Sequence, residues 1–502
     1  MSGRLIEMLN LRKGEEKTVV LLMTFSFLQT FAVALFLITA SAIFLANYSV
    51  TSLPYVYVTA FVTMTLLDIV FSFLARFFSG WQLILTETIL ILIIILLFRL
   101  IFSFGEFTWI GFALIVWYRV MSEYISGGVM RLALRLFDVR QSKRLFGLIS
   151  SSEIPANVTG YLLASLLVPV IGTNNLLWIA AFSLAGSLLF LTLLPSQNRN
   201  LIAEEKPEDD ARNEISQNKL KESVSKIFPT PFIGWISVTS FCAMMAFLLI
   251  EYAFLNQVDS QYTDQETLVF YLGIILGAAQ VIAFLIETFL YNNIQRRFGI
   301  RVALSVLPFA LGIVTVLSIV GSIFINHALF LVFVWVAIML VSDSLKTSLY
   351  NNTFNSLLQP LPARLKMSGL FIMGRSSTIA IGITGLLLLA VTAFQQTTLL
   401  HYSFILLMVL MGWVFSIIAL NKRYVGTLEE VLKKRTIEAE VIEVGDPHTK
   451  ELLLAKINSP FSGEALYALD ILCKDRSGNM PELLGSLLSH PLPEVRKEHC
   501  YS

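Results

Sequence analysis

The feature that most constrains this chain is a succession of apolar runs, each long enough to cross a lipid bilayer. They fall at 18–46, 52–76, 81–103, 107–130, 145–169 and 175–194. After a polar gap they resume at 230–255, 266–292, 300–323, 328–350, 367–393 and 401–420. A helix rises about 1.5 Å per residue, so about 20 apolar residues span the ~30 Å hydrocarbon core. In lipid only a helix or a closed barrel satisfies every backbone polar group. The runs therefore predict an all-α polytopic membrane bundle of about twelve transmembrane helices. Composition agrees, with 56% hydrophobic and 14% charged residues, against roughly 25% charged in a soluble domain.

Soluble catalysis is not expected. The chain has no phosphate-binding GxxxxGK[ST] loop, no nucleophile elbow and no HExxH. It is read as a non-enzyme with no cofactor and no catalytic residue. Cys242, Cys473 and Cys500 are scattered, giving neither a disulfide framework nor a zinc spacing. His327, His401, His448, His490 and His499 lie at helix edges or in the tail, so no metal site is expected. Residues 1–17 show no short apolar core before a cleavage site. They read either as an interfacial helix, with Leu5, Met8 and Leu9 on one side, or as a solvated terminus.

Orientation follows from lysine and arginine in the short connections. One set of connections carries Arg76, then Arg131, Arg135, Arg140, Lys143 and Arg144, then Arg296, Arg297 and Arg301, then Arg364 and Lys366. The other set (NYSVTS, SFGEF, PVIGTNN, NQVDSQYTDQE, SIFINH, AFQQTTLLH) carries none. Both termini are therefore expected in the cytoplasm.

The spans divide into two repeats. Asp68 precedes Arg76 by eight residues, and Glu287 precedes Arg296 by nine. Glu123 stands twenty-one residues before Arg144, as Asp343 stands before Arg364. Six residues after Gly147 comes Glu153, and six after Gly369 comes Arg375. Parallel six-helix repeats are the major-facilitator arrangement. The expected division is an N-terminal half (1–194), a charged cytoplasmic linker (195–229), a C-terminal half (230–424), a connecting segment (425–447) and a tail (448–502). In the tail, LLSHPLPEVRKE resembles one unit of a HEAT helical repeat. A single unit cannot bury its apolar face, so it needs further repeats, the bundle or a partner against it.

Three stretches carry a family resemblance: LPYVYVTAFVTMTLLDIVFSFLAR, RQSKRLFGLISSSEIPANVTG and SLYNNTFNSLLQPLPARLKMSG. Together they resemble the ATP/ADP translocase family of bacteria and plastids, including its bacterial members fused to HEAT repeats. The match is most specific at Lys143, Arg144, Phe146, Gly147 and Ala156-Asn157. The resemblance implies a major facilitator-like transporter, a bacterial cytoplasmic (inner) membrane location, and nucleotide exchange as one option. One departure is clear. The family's exchangers carry a lysine in the first span, where this chain has only Gln29 among 18–46.

Charged side chains inside the spans mark the candidate site, because a charge at the centre of a lone membrane helix costs at least ~2.5–3.5 kcal/mol. Arg119, Glu123, Glu153, Asn157, Asp343, Lys346 and Arg375 are the candidate substrate-binding residues. Arginine suits a phosphate because its fork binds bidentately and keeps its charge. Arg119 and Glu123 share a helix face and can instead satisfy each other. Asp68 and Arg76, and Glu287 and Arg296, bracket the inner ends of symmetry-related helices and are candidate gating residues, either pairing across the halves when the inner side closes or pairing at the surface. Arg99, Glu251 and Glu287 lie near helix ends and read as gate or structural residues, and Glu87 as structural. The expected partners are membrane lipid, an anionic small molecule and a protein docked on the tail, but not nucleic acid. Two functions stay open: a secondary transporter of an anionic solute, or a non-transporting scaffold or sensor displaying the tail.

Overall fold

The computed structural model describes residues 16–78, 80–105, 107–137, 145, 147–197, 231–261, 264–324, 328–357, 363–393 and 399–433. Most of the linker, the tail at 448–502, and Arg140, Lys143 and Arg144 of the basic junction lie outside the described residues. Among the described residues twelve long helices carry the fold. The first six are α1 (Glu16–Asn47), α2 (Leu53–Leu74), α3 (Gly80–Ile101), α4 (Thr108–Leu136), α5 (Glu153–Ile171) and α6 (Leu176–Gln197). The second six are α7 (Pro231–Asp259), α8 (Gln265–Ile286), α9 (Asn292–Phe324), α10 (Ala328–Leu345), α11 (Ala363–Ala393) and α12 (Leu399–Lys433). α8 continues into a π turn, Glu287–Tyr291, and α10 into another, Lys346–Tyr350, followed by Asn351–Ser356. α12 runs on to Lys433, so the last helix takes in the start of the segment read as a connection.

Eleven helices among the described residues are long and apolar enough to cross a membrane. The expected twelfth, α4, does not qualify on composition. Its 29 residues suffice in length, but Arg119, Glu123, Arg131 and Arg135 depress its hydropathy. Its place in the bundle matches that of α10, which does qualify. The lost hydropathy is thus the mark of a helix buried among protein and polar groups rather than facing lipid.

Packing reproduces the repeat. In the first half α1 packs on α4, α5 and α6, α3 on α4 and α6, and α2 on α4. In the second half α7 packs on α10, α11 and α12, α9 on α10 and α12, and α8 on α10. Each contact has its counterpart six helices later. The halves meet through α5 on α8 and through α2 on α11, again a symmetry-related pair.

Small residues let these two seams close. A side-chain carbon at Gly273 of α8 would fall 2.7 Å from the Tyr161 carbonyl oxygen of α5, and one at Gly277 would fall 2.7 Å from Leu162 Cδ2. A side-chain carbon at Gly385 of α11 would come 3.0 Å from the Pro54 carbonyl oxygen of α2. Gly273 and Gly277 form a GxxxG stripe, the pattern by which membrane helices approach closely. Ser165 Oγ exploits that approach and donates to the Phe270 carbonyl across the seam at 3.1 Å.

The interior holds large side chains, with Trp335, Trp413, Tyr57 and Tyr252 fully buried. The outside is also apolar: Ile69, Phe182, Leu189, Phe309 and Phe415 are all exposed. A surface of that kind is stable only against lipid. The protein is an integral membrane protein. Below, the end of the bundle where α1 begins is the near end, and the end where α1 finishes is the far end.

Candidate substrate pathway between the two halves

The charged residues of the spans lie in layers along the seam. Taking ~1.5 Å per residue from the far end of each helix, Glu251 lies about 12 Å deep and Arg119 about 16 Å deep. These two form an ion pair between α4 and α7, joining the two halves. Both side chains are largely buried, at 10% and 16% exposure. The Arg119 guanidinium carbon lies 5.3 Å from the ring centres of both Tyr57 and Tyr118. Such a cation over aromatic faces is favoured where water is excluded. Tyr57 also donates across the halves to the Leu248 carbonyl at 3.5 Å. At the far surface the Val50 amide donates to Asp259 Oδ2 at 3.4 Å. The far end is thus bound across the halves at three depths.

About 22 Å from the far end lies a second layer, containing Asp68, Glu123 and Asp343. Arg375 of α11 pairs with Asp68 of α2 at 2.5 Å, again across the halves. The second oxygen of Asp68 accepts from Tyr124 of α4 at 2.8 Å. Asp343 of α10 accepts from Gln280 Nε2 of α8 at 2.6 Å. Glu123 makes no hydrogen bond and no ion pair among the described residues. Lys346 stands at the first position of the π turn that follows α10. Its ammonium lies 4.5 Å from the centre of the Phe247 ring and, among the described residues, forms no direct ion pair. It is the cation that acts most strongly on both Glu123 and Asp343.

Nearer the near end, Glu153 begins α5 and faces the like charge of Glu287 on the π turn of α8. Glu287 accepts from Asn352 Nδ2 at 3.1 Å. Asn157 is half-buried, one turn further along α5. Inside the first half, Arg131 of α4 pairs with Glu87 of α3. Gly127 and Gly128 leave the room: a side-chain carbon at Gly127 would sit 3.3 Å from Arg131 Nη1.

Several expected partnerships give way to others. Arg119 meets Glu251 rather than Glu123, because its long side chain crosses to the facing helix instead of turning along its own. Asp68 meets Arg375 and Tyr124 rather than Arg76, which stays exposed near the Phe73 ring. Arg375 and Glu153, equivalent in the repeats, meet different neighbours, Asp68 for Arg375 and the like charge of Glu287 for Glu153. The side chains of Arg296, Arg364 and Lys366 lie outside the described residues, so the Glu287–Arg296 pairing does too. Gln29, at the span where the resembled family has lysine, is buried and donates to Thr88 Oγ1 at 3.2 Å. Among the described residues the first helix therefore brings no cation to the pathway.

Three residues of the pathway escaped the sequence reading: Tyr57, Tyr124 and Gln280. Each is a polar side chain within an apolar run, and each bonds across helices or between halves. Their signal in the sequence is only that a buried hydroxyl or amide needs a partner.

No family model matches the chain. Over 320 residues it is 22% identical to ADP,ATP carrier protein 1 of Rickettsia prowazekii (strain Madrid E). That match covers 58% of this chain and 63% of the carrier, so it spans less than two thirds of the relative's length. Among solved structures the chain is similar to the nucleoside transporter NupG, with a TM-score of 0.54 at 15% identity over 81% of this chain and 99% of that one. It is similar to a D-xylose-proton symporter, with a TM-score of 0.55 at 12% identity over 80% and 96% of the two chains. A bacterial homologue of the iron transporter ferroportin, in an inward-facing state, gives 0.54 at 13% identity over 81% and 98%. These likenesses show a major facilitator-like fold. The proteins compared are transporters, not enzymes.

Proposed function

We propose that the chain is a secondary transporter of an anionic solute, with organic phosphates, nucleotides among them, as the class to test first. The observation that carries this reading is Lys346. It is a mid-depth cation where the halves face each other, set against the Phe247 ring and without a direct carboxylate partner among the described residues. Arg119 and Arg375 are committed to Glu251 and Asp68, so they act as latches between the halves. The Arg119–Glu251 latch holds the halves together toward the far end in this conformation. The cation-bearing connections of the sequence support a cytoplasmic near end with both termini on that side. The resemblance to the nucleotide carriers, together with the bacterial relative, supports a bacterial cytoplasmic membrane and a phosphate-bearing substrate. The domain division at 194, 230 and 424 is proposed from the two groups of six apolar runs in the sequence, with α12 continuing past the last boundary to Lys433. The HEAT-like tail is proposed as the docking surface for a protein partner.

The test is uptake of labelled ATP, ADP and inorganic phosphate into vesicles holding the full chain. Wild-type protein should take up at least one of them above protein-free vesicles. Lys346→Gln should weaken its binding by about 10- to 100-fold, the value of a hydrogen bond to a charged group at ~1.5–3 kcal/mol. Uptake by Lys346→Gln at wild-type affinity would remove Lys346 from the site.

A further inference from the structure

We propose that the far end carries a site for an oxygen-seeking divalent cation, Ca²⁺ by preference, held between the α5–α6 turn and the start of α8. This goes beyond the transport reading and does not depend on it. The place is a cavity of about 490 Å³. One wall is the turn that joins α5 to α6, with Thr173 and Asn174; the other is the start of α8, with Asp264 and Glu266. Gly172, at φ 77°, turns the chain as α5 ends, and the short turn that follows packs on α8. Each half of the bundle thus supplies one wall.

The cavity is built for positive charge. Thr173 is only 5% exposed, and its hydroxyl oxygen has no hydrogen-bond partner. The side-chain amide oxygen of Asn174 is enclosed and has none either. Buried oxygens are normally satisfied, and an amide oxygen can only accept, so it needs a donor or a cation. Two carboxylates stand in the facing wall. Asp264 commits Oδ2 to the α8 cap, accepting from the Thr267 amide at 3.0 Å and the Thr267 hydroxyl at 2.9 Å. A carboxylate offers about four lone-pair sites, so the cap leaves it capacity. Glu266, two residues on, is exposed. The two connections, PVIGTNN and NQVDSQYTDQE, contain no lysine, arginine or histidine. Arg99 of α3 comes near but does not line the cavity: it donates to Asn175 Oδ1 at 2.7 Å and lies over the Trp178 ring.

The donors name the ion. Carboxylate, amide and hydroxyl oxygens suit Ca²⁺ or Mg²⁺ rather than a thiolate- or imidazole-seeking metal. Ca²⁺ accepts roughly six to eight oxygens in flexible geometry, waters included, whereas Mg²⁺ demands a tight octahedron. A wide cavity between two separate segments fits the first. Among the described residues no three His, Cys, Asp or Glu side chains gather to hold a metal by themselves. With two carboxylates the affinity should be that of a weak external module, about 10⁻⁴–10⁻³ M. The lysine- and arginine-free connections support an external far end. Bound there, the ion ties the two halves at the far surface, beyond the Arg119–Glu251 layer.

The experiment is calorimetric titration of the full chain in detergent with CaCl₂, and separately with MgCl₂. Wild type should bind one Ca²⁺ per chain in the range above, and Mg²⁺ about tenfold more weakly. Asp264→Asn/Glu266→Gln should weaken Ca²⁺ by about tenfold or more, since affinity follows the charge of the ligands. Asparagine still caps a helix, so this variant keeps the start of α8. Thermal unfolding gives a second reading: Ca²⁺ should raise the midpoint of wild type and leave that of the double variant unmoved. Wild type with neither saturable heat nor a raised midpoint would overturn the site. Ca²⁺ binding of wild-type strength in the double variant would place the ion elsewhere and overturn it too. Should the double variant not fold, Thr173→Val, which removes the buried hydroxyl and keeps its shape, carries the test, and wild-type affinity there would overturn the site. Equal affinity for Mg²⁺ would overturn the preference for Ca²⁺.

Discussion

Replacing Arg119 by leucine is expected to destabilise the bundle by about 3–5 kcal/mol, because it leaves Glu251 buried without its cation. The two residues are the least exposed ion pair described, and they join α4 to α7 across the halves. The rings of Tyr57 and Tyr118 both lie against the guanidinium, so little water can replace it. The partner change gives the control. A buried pair replaced whole by apolar side chains is often neutral or stabilising, so Arg119→Leu/Glu251→Leu should recover most of the loss. Thermal unfolding in detergent reads both variants. A single variant as stable as wild type would mean that Glu251 finds another partner or solvent. A double variant as unstable as the single would mean that the loss is one of shape and not of charge.

The second large effect is at Asp68 and Arg375. Arg375→Asp sets two carboxylates against each other where α2 meets α11. Like charges across an interface cost several kcal/mol when dry. The Arg375 side chain is 39% exposed, so solvent screening should hold the effect to about 2 kcal/mol. Asp68→Arg in the same chain should restore the pair and recover stability, since the two side chains exchange ends of one contact. Tyr124 complicates the swap only slightly, because its hydroxyl can accept from an arginine as readily as it donates to Asp68. Failure of the swap to recover anything would show that the seam is held by its glycines and not by its charges.

The helices were legible because lipid imposes one rule on every backbone, and the apolar runs obey it from α1 to α12. The repeat was legible in the spacing of Glu123, Asp343, Glu153 and Arg375, since symmetry-related helices keep their charges in register. What failed was the partner of each charge. Spacing along one helix made Glu123 the natural neighbour of Arg119, yet an arginine side chain is long enough to reach the facing helix, and Glu251 waits there. Asp68 and Arg76 lie close in sequence but in different surroundings: Asp68, within α2, pairs with Arg375, while Arg76, in the turn after α2, stays exposed. The seams went unread in the sequence, because a glycine stripe such as Gly273-x-x-x-Gly277 does not name its partner helix. Hydropathy also understated α4. The charges that lower its apparent fitness as a membrane span are the ones that mark it as lining the pathway.

A transporter built of two such repeats is expected to work by rocking its halves about the site between them. Spin labels test it at Ser49 and Ser260, exposed at the far end of opposite halves, and at Gly147 and Asn293, exposed toward the near end of opposite halves. Distances within each pair would be measured by electron paramagnetic resonance on the full chain in vesicles, with and without ATP, ADP or inorganic phosphate. A second population is expected, in which the far pair lengthens as the near pair shortens. Arg119→Leu/Glu251→Leu, which removes the far latch, should enrich that population without added anion. Single, unchanging distances in both pairs, in wild type and in the latch variant, would contradict it and point to a bundle that holds one shape as a scaffold.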